Sequence, residues 1–451
     1  MDLVFVHGWN VTNTDTYGQL PQVLEKLSDA DSKLSVHHIH LGRYISFDDE
    51  VRLDDIARAF DDARLSLLAN KPFAAITHST GAPVMRQWLQ MFFSGTDIKT
   101  CPLTHLIMLA PANHGSALAQ LGKSRVGRIK SFFAGVEPGQ AVLDWLELGS
   151  TQQLQLNLDW LREFKLGEGP WLFVLTGETI DDKLYDYLNS YTAESGSDGV
   201  VRVAAANLNF TYVKLVESAE SCNGFDARCV VKLSQSQYVT PQHKVAFEVI
   251  KKASHSGNSK GIMTSVTSRN AKRKPVVQRI LQCLNTRNTE QYQQLSSLMA
   301  TASESGHRKQ FRGSMLVVRV SDDLGNPIED FDIVLLSGAD FLPGKFKKGF
   351  MLDRQKNLKN SHVVSFYLDS NKLANISNGQ LGLRIEPRPD NGMCYYRSAE
   401  FHSEPKQVAL LLQPDQTSII DIVLTRKRHP NLFTLINTDA GGDFKQLNND
   451  W

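Results

Sequence analysis

The stretch Phe73-Ala-Ala-Ile-Thr-His-Ser-Thr-Gly-Ala-Pro-Val-Met-Arg86 constrains this chain more than any other. Phe73 to Ile76 is a short apolar run that reads as a buried strand. From Thr80 a helical pattern carries Val84, Met85, Trp88, Leu89 and Phe92 on one side. The residues between, Thr77-His-Ser-Thr-Gly81, must turn sharply from strand into helix and lift Ser79 above a sheet edge. A hydroxyl held there can serve as a nucleophile, because the helix N-terminus and a free backbone N–H favour developing negative charge. The bland reading is a helix cap. The usual turn of this kind is Gly-x-Ser-x-Gly, and Thr77 stands where the first glycine would be.

Apolar runs over Leu3–Val6, Leu34–Leu41, Phe73–Ile76, Leu103–Leu109, Trp171–Thr176 and Val245–Ile250 alternate with helical spacing, as around Tyr17–Leu27 and Leu53–Leu68. That alternation predicts a parallel sheet covered on both faces, with chemistry at the C-terminal ends of its strands. Two insertions interrupt it. Residues 110–165 carry Phe132, Phe133, Trp145 and many leucines, and read as a helical, apolar lid or pocket wall. Residues 209–242 alternate in the manner of an added hairpin. Residues 286–313 turn polar and read as a last helix and a linker. From 314 to 428 about seven short strands predict a β-sandwich, and 429–451 is a polar tail. The fold class is thus α/β, residues 1–285, followed by an accessory β domain.

Lys and Arg total 49 against 48 for Asp and Glu, a formal net charge of +1, which gives nucleic acid no general hold. Basic clusters such as Lys123/Arg125/Arg128/Lys130 read as solvated faces. Five cysteines show no metal-type spacing; Cys222 and Cys229 could bridge a loop, but free thiols in a reducing compartment are the expectation. Met1 leads straight into a strand, without the pattern of a cleaved signal, and no apolar run is long enough to cross a bilayer. The chain reads as made in the cytosol, with a signal-independent export route left open.

A serine nucleophile needs a base, an orienting acid and an oxyanion hole. Asp198 lies in Ser197-Asp-Gly-Val-Val201 after the fifth strand, and His255 in Ser254-His-Ser-Gly257 follows the sixth within five residues. Serine, acid, histidine is the chain order of sheet hydrolases. Glu178, Asp181 and Asp182 remain rival acids. His243 precedes its strand, His78 should point into packing, and His114 in Pro111-Ala-Asn-His-Gly-Ser116 lies near the mouth, where structural use competes with lining the pocket. The backbone N–H groups of Thr80 and of Trp9, in His7-Gly-Trp9, suit an oxyanion hole.

Together these segments resemble bacterial serine lipases and esterases of the α/β-hydrolase fold, nearest their phospholipase branch with glycosylphosphatidylinositol-deacylase-type enzymes. The resemblance covers roughly residues 1–285 and departs at Thr77 and at the hairpin after Asp198. It implies Ser79 as nucleophile, Asp198 as acid, His255 as base, and Trp9 with Thr80 as oxyanion donors. It also implies hydrolysis of lipid carboxylic esters at a membrane or micelle surface, with no metal and no cofactor. His114, Phe132, Phe133 and Trp145 would line the acyl pocket, and the β domain would meet a membrane, a delivery partner or the core. Two rivals stand beside it: an esterase of soluble esters, and a degenerate hydrolase acting as an adaptor.

Overall fold

The computed structural model describes residues 1–7, 14–28, 33–41, 49–120, 139–180, 194–218, 229–307, 311–373, 379–405 and 407–429, with Ile376 and Leu432. Strands β1 (Asp2–His7), β2 (Ser35–His40), β3 (Phe73–His78), β4 (Leu103–Leu109) and β5 (Trp171–Gly177) pair with a later strand, β8 (Ala246–Ile250). All are parallel, in the order β2-β1-β3-β4-β5-β8. β3 is buried along its whole length because both faces are covered. On β4, Leu106 and Met108 join one apolar cluster, while Ile107 and Leu109 join the opposite one. That two-sided burial explains why these strands read as continuous apolar runs.

One layer holds α1 (Leu20–Leu27) and the other α2 (Leu53–Leu68), α3 (Gly81–Phe92), α4 (Gln140–Leu146) and α5 (Thr151–Glu163). A short turn of helix, α6 (Val203–Ala206), follows the acid-bearing loop. α7 (Pro275–Leu284) and α8 (Thr289–His307) close the edge at β8. There the Tyr292 hydroxyl takes the Ala246 N–H at 2.9 Å and Ser303 Oγ takes the Val249 N–H at 3.0 Å, covering an otherwise open strand. Among the described residues, no helix is long and apolar enough to cross a membrane.

The second sheet holds β6 (Thr211–Glu217), β7 (Val231–Val239), β9 (Gly313–Asp322), β10 (Phe331–Ser337), β11 (Leu342–Pro343), β12 (Met351–Lys356), β13 (Val363–Asp369), β14 (Leu381–Pro387), β16 (Ala399–His402) and β17 (Thr417–Leu424). β15 (Cys394–Tyr395) and β18 (Lys427–Arg428) form a separate pair. The ten strands run β11-β10-β14-β16-β7-β6-β17-β9-β13-β12. Leu316 and Phe366 from one half share a core with Ile333 and Leu383 from the other, so the sheet curls over itself. The hairpin expected at 209–242 supplies β6 and β7, and these bridge the halves: β6 pairs β17 and β7 pairs β16.

Alternation along β9 has two uses. Leu316 and Val318 face the β core, while Met315 and Val317 pack with Val142, Leu148 and Ala204 of the α/β half. Each aliphatic side chain so buried contributes about 1.5–3 kcal/mol. The β domain is therefore seated on the core through a shared apolar layer. One cysteine expectation is overturned: Cys229 is disulfide-bonded, whereas Cys101, Cys283 and Cys394 are free.

Candidate active site

β3 delivers Ser79 to the C-terminal edge of the sheet in the left-handed region, at φ 53°, a conformation a side chain adopts only when its surroundings impose it. The surroundings are specific. Ser79 N–H donates to the Leu109 carbonyl at 3.0 Å, and the Ser79 carbonyl accepts from Ala82 N–H at 3.3 Å and Ala112 N–H at 3.4 Å. His78 and Thr80 are buried on either side while Ser79 is only half-buried, and α3 begins at Gly81 with its positive end at the turn. Thr77 fits inside the sheet without exposure, and its hydroxyl has no hydrogen-bond partner.

Asp198 comes back to this edge in the loop between β5 and α6. Its Oδ1 accepts from Val200 N–H at 3.0 Å and Val201 N–H at 2.8 Å, and its Oδ2 lies 2.9 Å from His255 Nδ1. A second link joins the same residues, His255 N–H to the Asp198 carbonyl at 2.9 Å. Since a carboxylate only accepts, the proton of that side-chain bond sits on Nδ1 and Nε2 is left as the ring's basic nitrogen. Both side chains are buried. The approach needs glycine at the end of β5: a Cβ on Gly177 would sit 2.1 Å from the Ala253 carbonyl oxygen.

Each competitor has its own place. His78 Nε2 lies 3.0 Å from the His255 carbonyl, so it donates there and braces the loop; burial, then His255, push its pKa well down. His114 is buried against Phe210, its Nδ1 accepts from Asn157 at 3.1 Å, and burial first, then Arg86, lowers its pKa to about 3. Trp145 is buried and borders a cleft of about 480 Å³ between α2, α3, α4 and α5, whose lining does not include Ser79, Asp198 or His255. Trp9, Phe132, Phe133, Asp181 and Asp182 lie outside the described residues. Glu178 follows β5, and its N–H donates to the Ala253 carbonyl at 3.1 Å.

Four arrangements escaped the sequence. The Pro111–Ser116 turn is a strut: Ala112 holds Ser79, Asn113 Nδ2 donates to the Ala206 carbonyl at 2.8 Å, and Ser116 Oγ to that of Val200 at 2.6 Å. Beneath it Arg86 is fully buried, bonded to Asn157 Oδ1 at 2.9 Å and Asn113 Oδ1 at 3.3 Å, over the Trp160 ring at 5.1 Å. The acid loop is clamped from the β domain: Arg202 pairs with Glu194 and Asp353 and lies 4.3 Å over Tyr367, whose hydroxyl donates to the Ser195 or Gly196 carbonyl. Finally, His7, His38 and His40 cluster at the ends of β1 and β2, with His7 pushed to about 2 by burial and by its two neighbours. Only side chains on paired strands reveal such groups, and no local pattern announces them.

No protein-family model matches the chain, and no curated protein matches it by sequence. Solved structures do. Phospholipase PlaB from Legionella pneumophila is 40% identical over 98% of this chain and 97% of its own, with a TM-score of 0.88. The same enzyme in complex with thio-NAD aligns at 38% identity over 98% and 97%, with a TM-score of 0.86.

Proposed function

Because the chain belongs to the family of the Legionella pneumophila phospholipase PlaB and is a carboxylic ester hydrolase, we propose that it cleaves lipid esters with a Ser79–His255–Asp198 triad. The observation that carries this reading is the His255 Nδ1–Asp198 Oδ2 bond at 2.9 Å, formed at the strand edge where Ser79 is held at positive φ. Asp198 fixes the tautomer that leaves His255 Nε2 basic. Nε2 takes the Ser79 proton as Oγ attacks the ester carbonyl carbon. The Thr80 N–H, at the start of α3, and the Trp9 N–H stabilise the oxyanion; one such donor is worth about 2.7–4 kcal/mol. His255 then returns the proton to the leaving alcohol, and water, activated by the same nitrogen, frees the acyl group from Ser79. Phospholipid is the preferred substrate class, by family; the soluble-ester alternative has no separate observation in its favour.

Fluorophosphonate labelling of wild type and Ser79→Ala, followed by turnover of phospholipid vesicles, tests the assignment. Labelling and turnover should both vanish with Ser79→Ala, the latter by at least about 10³-fold. An Ser79→Ala protein that still turned over vesicles at the wild-type rate would remove Ser79 from the mechanism.

A further inference from the structure

His7 ends β1, and the parallel register sets it directly beside His40 of β2. Residues two apart on a strand share a face, so His38 joins His40 there, while His37 points the other way and lies 2.8 Å from Asp2. β2 is the edge strand of its sheet. The cluster consequently runs from a fully buried ring, His7, to a half-buried His40 and an exposed His38. Its rings are close: His7 and His40 have centroids 3.9 Å apart, and His7 Nε2 lies 3.0 Å from His38 Nδ1.

One nitrogen of each ring falls within 4.8 Å of the other two. Two nitrogens on a single tetrahedral zinc, each at about 2.0–2.1 Å, are separated by about 3.3–3.4 Å. The His7–His38 pair is thus within about 0.4 Å of a ligand pair, once the shared proton is released. His40 must swing inward by at most about 1.5 Å, which a half-buried side chain on an edge strand can do by rotating its ring. Three uncharged imidazoles suit zinc, cobalt, nickel or copper and not magnesium or calcium, which want oxygen.

We propose that His7, His38 and His40 form a binding site for one divalent transition-metal ion of the zinc class. The ion ties the end of β1 to the edge strand at the same end of the sheet as Ser79. It is a cross-link between two strands, separate from the acyl-transfer machinery.

Full-length protein stripped with chelator and titrated with Co²⁺ tests this, by the absorption of tetrahedral cobalt and by equilibrium dialysis with Zn²⁺. One ion per chain should bind, and zinc should raise the melting temperature. His38→Ala and His40→Ala should each weaken binding at least about tenfold, since even the loss of a supporting partner costs that much. His37→Ala, on the opposite face, should bind as wild type does. If an alanine variant melts early, the Gln variant at the same position is read in its place. Absence of one-to-one binding in wild type, or unchanged affinity in the His38 and His40 variants, overturns the site. Metal binding is read directly, so either outcome leaves the hydrolase assignment untouched.

Discussion

The two turns that meet at the candidate site are held in opposite ways. The Ser79 turn is supported by its own helix and by β4 with the turn after it, through the Leu109 carbonyl and the Ala82 and Ala112 N–H groups. The Asp198 loop is supported from the far end of the chain. Its contacts to Asp353, Tyr367, Asp415 and Thr417 span 151 to 213 positions. The difference teaches that the β domain is part of the scaffold of the Asp198 loop. A nucleophile can be built by one strand–turn–helix, but an acid on a long loop needs a second body to fix it.

The largest effect should come from the acid itself. Asp198→Asn keeps the shape but favours the wrong His255 tautomer, and kcat should fall by about 10⁴-fold. Glu178→Gln should leave kcat within a few-fold. If the two results were exchanged, the acid would lie elsewhere and the comparison would collapse.

Acid stability separates the halves next. His7, His105 and His114 of the α/β half are buried and lowered to about 2, about 4 and about 3, each with burial as the first cause. In the β half none of His362, His402 and His429 is fully buried, and burial first, then Arg319, lowers the half-buried His362, so the α/β half carries most of this effect. A histidine whose folded pKa is depressed takes up its proton only on unfolding. Stability should therefore fall as pH drops from about 6.5 towards about 4, by roughly 1.4 kcal/mol per pH unit for each such ring. Urea midpoints at pH 7 and pH 5 give the slope, and His105→Gln should remove one ring's share. An unchanged slope would mean that His105 is not the buried neutral ring described.

The clamp gives a smaller, more diagnostic change. Asp353→Ala leaves the buried Arg202 guanidinium with Glu194 alone, and should cost about 1–3 kcal/mol. Tyr367→Phe removes one hydroxyl bond and should cost about 1 kcal/mol. Both should lower kcat more than they change KM, because the loop they brace carries the proposed acid, Asp198. Turnover equal to wild type in both variants would show that the acid loop stands without its clamp. Deleting the β domain would be a poorer test, since it also strips the shared apolar layer from Val142 and Ala204.

What could be read from the sequence follows the same division. The six parallel strands and the sharp turn at Ser79 were legible because each depends on periodicity and turn chemistry within a few residues. The hairpin was legible as β6 and β7, but not its role as the bridge of a ten-stranded sheet, because pairing with β16 and β17 leaves no local trace. The same holds for His7 beside His40, a contact made only by register. The burial of Arg86 left no local trace either, because it depends on Asn113 and Asn157 arriving from two other elements. Cys229 failed for another reason, since a thiol's redox state follows from proximity that spacing alone does not give.

Thr77 brings the smallest prediction and bears on the self-sufficient turn. It stands where the first glycine of such a turn would be, yet the residue fits with no exposure, and the cost is confined to one hydroxyl without a partner. A buried polar group left unpaired costs about 1–3 kcal/mol, and an apolar group of the same shape avoids that. Thr77→Val keeps the branched outline that β3 and its neighbours already accommodate, so the melting temperature should rise slightly while labelling of Ser79 is unchanged. Thr77→Gly should do the reverse, because it removes packing inside the sheet and loosens the strand. If valine lowered stability instead, the hydroxyl must have a partner, and the turn would depend on more than its own strand and helix.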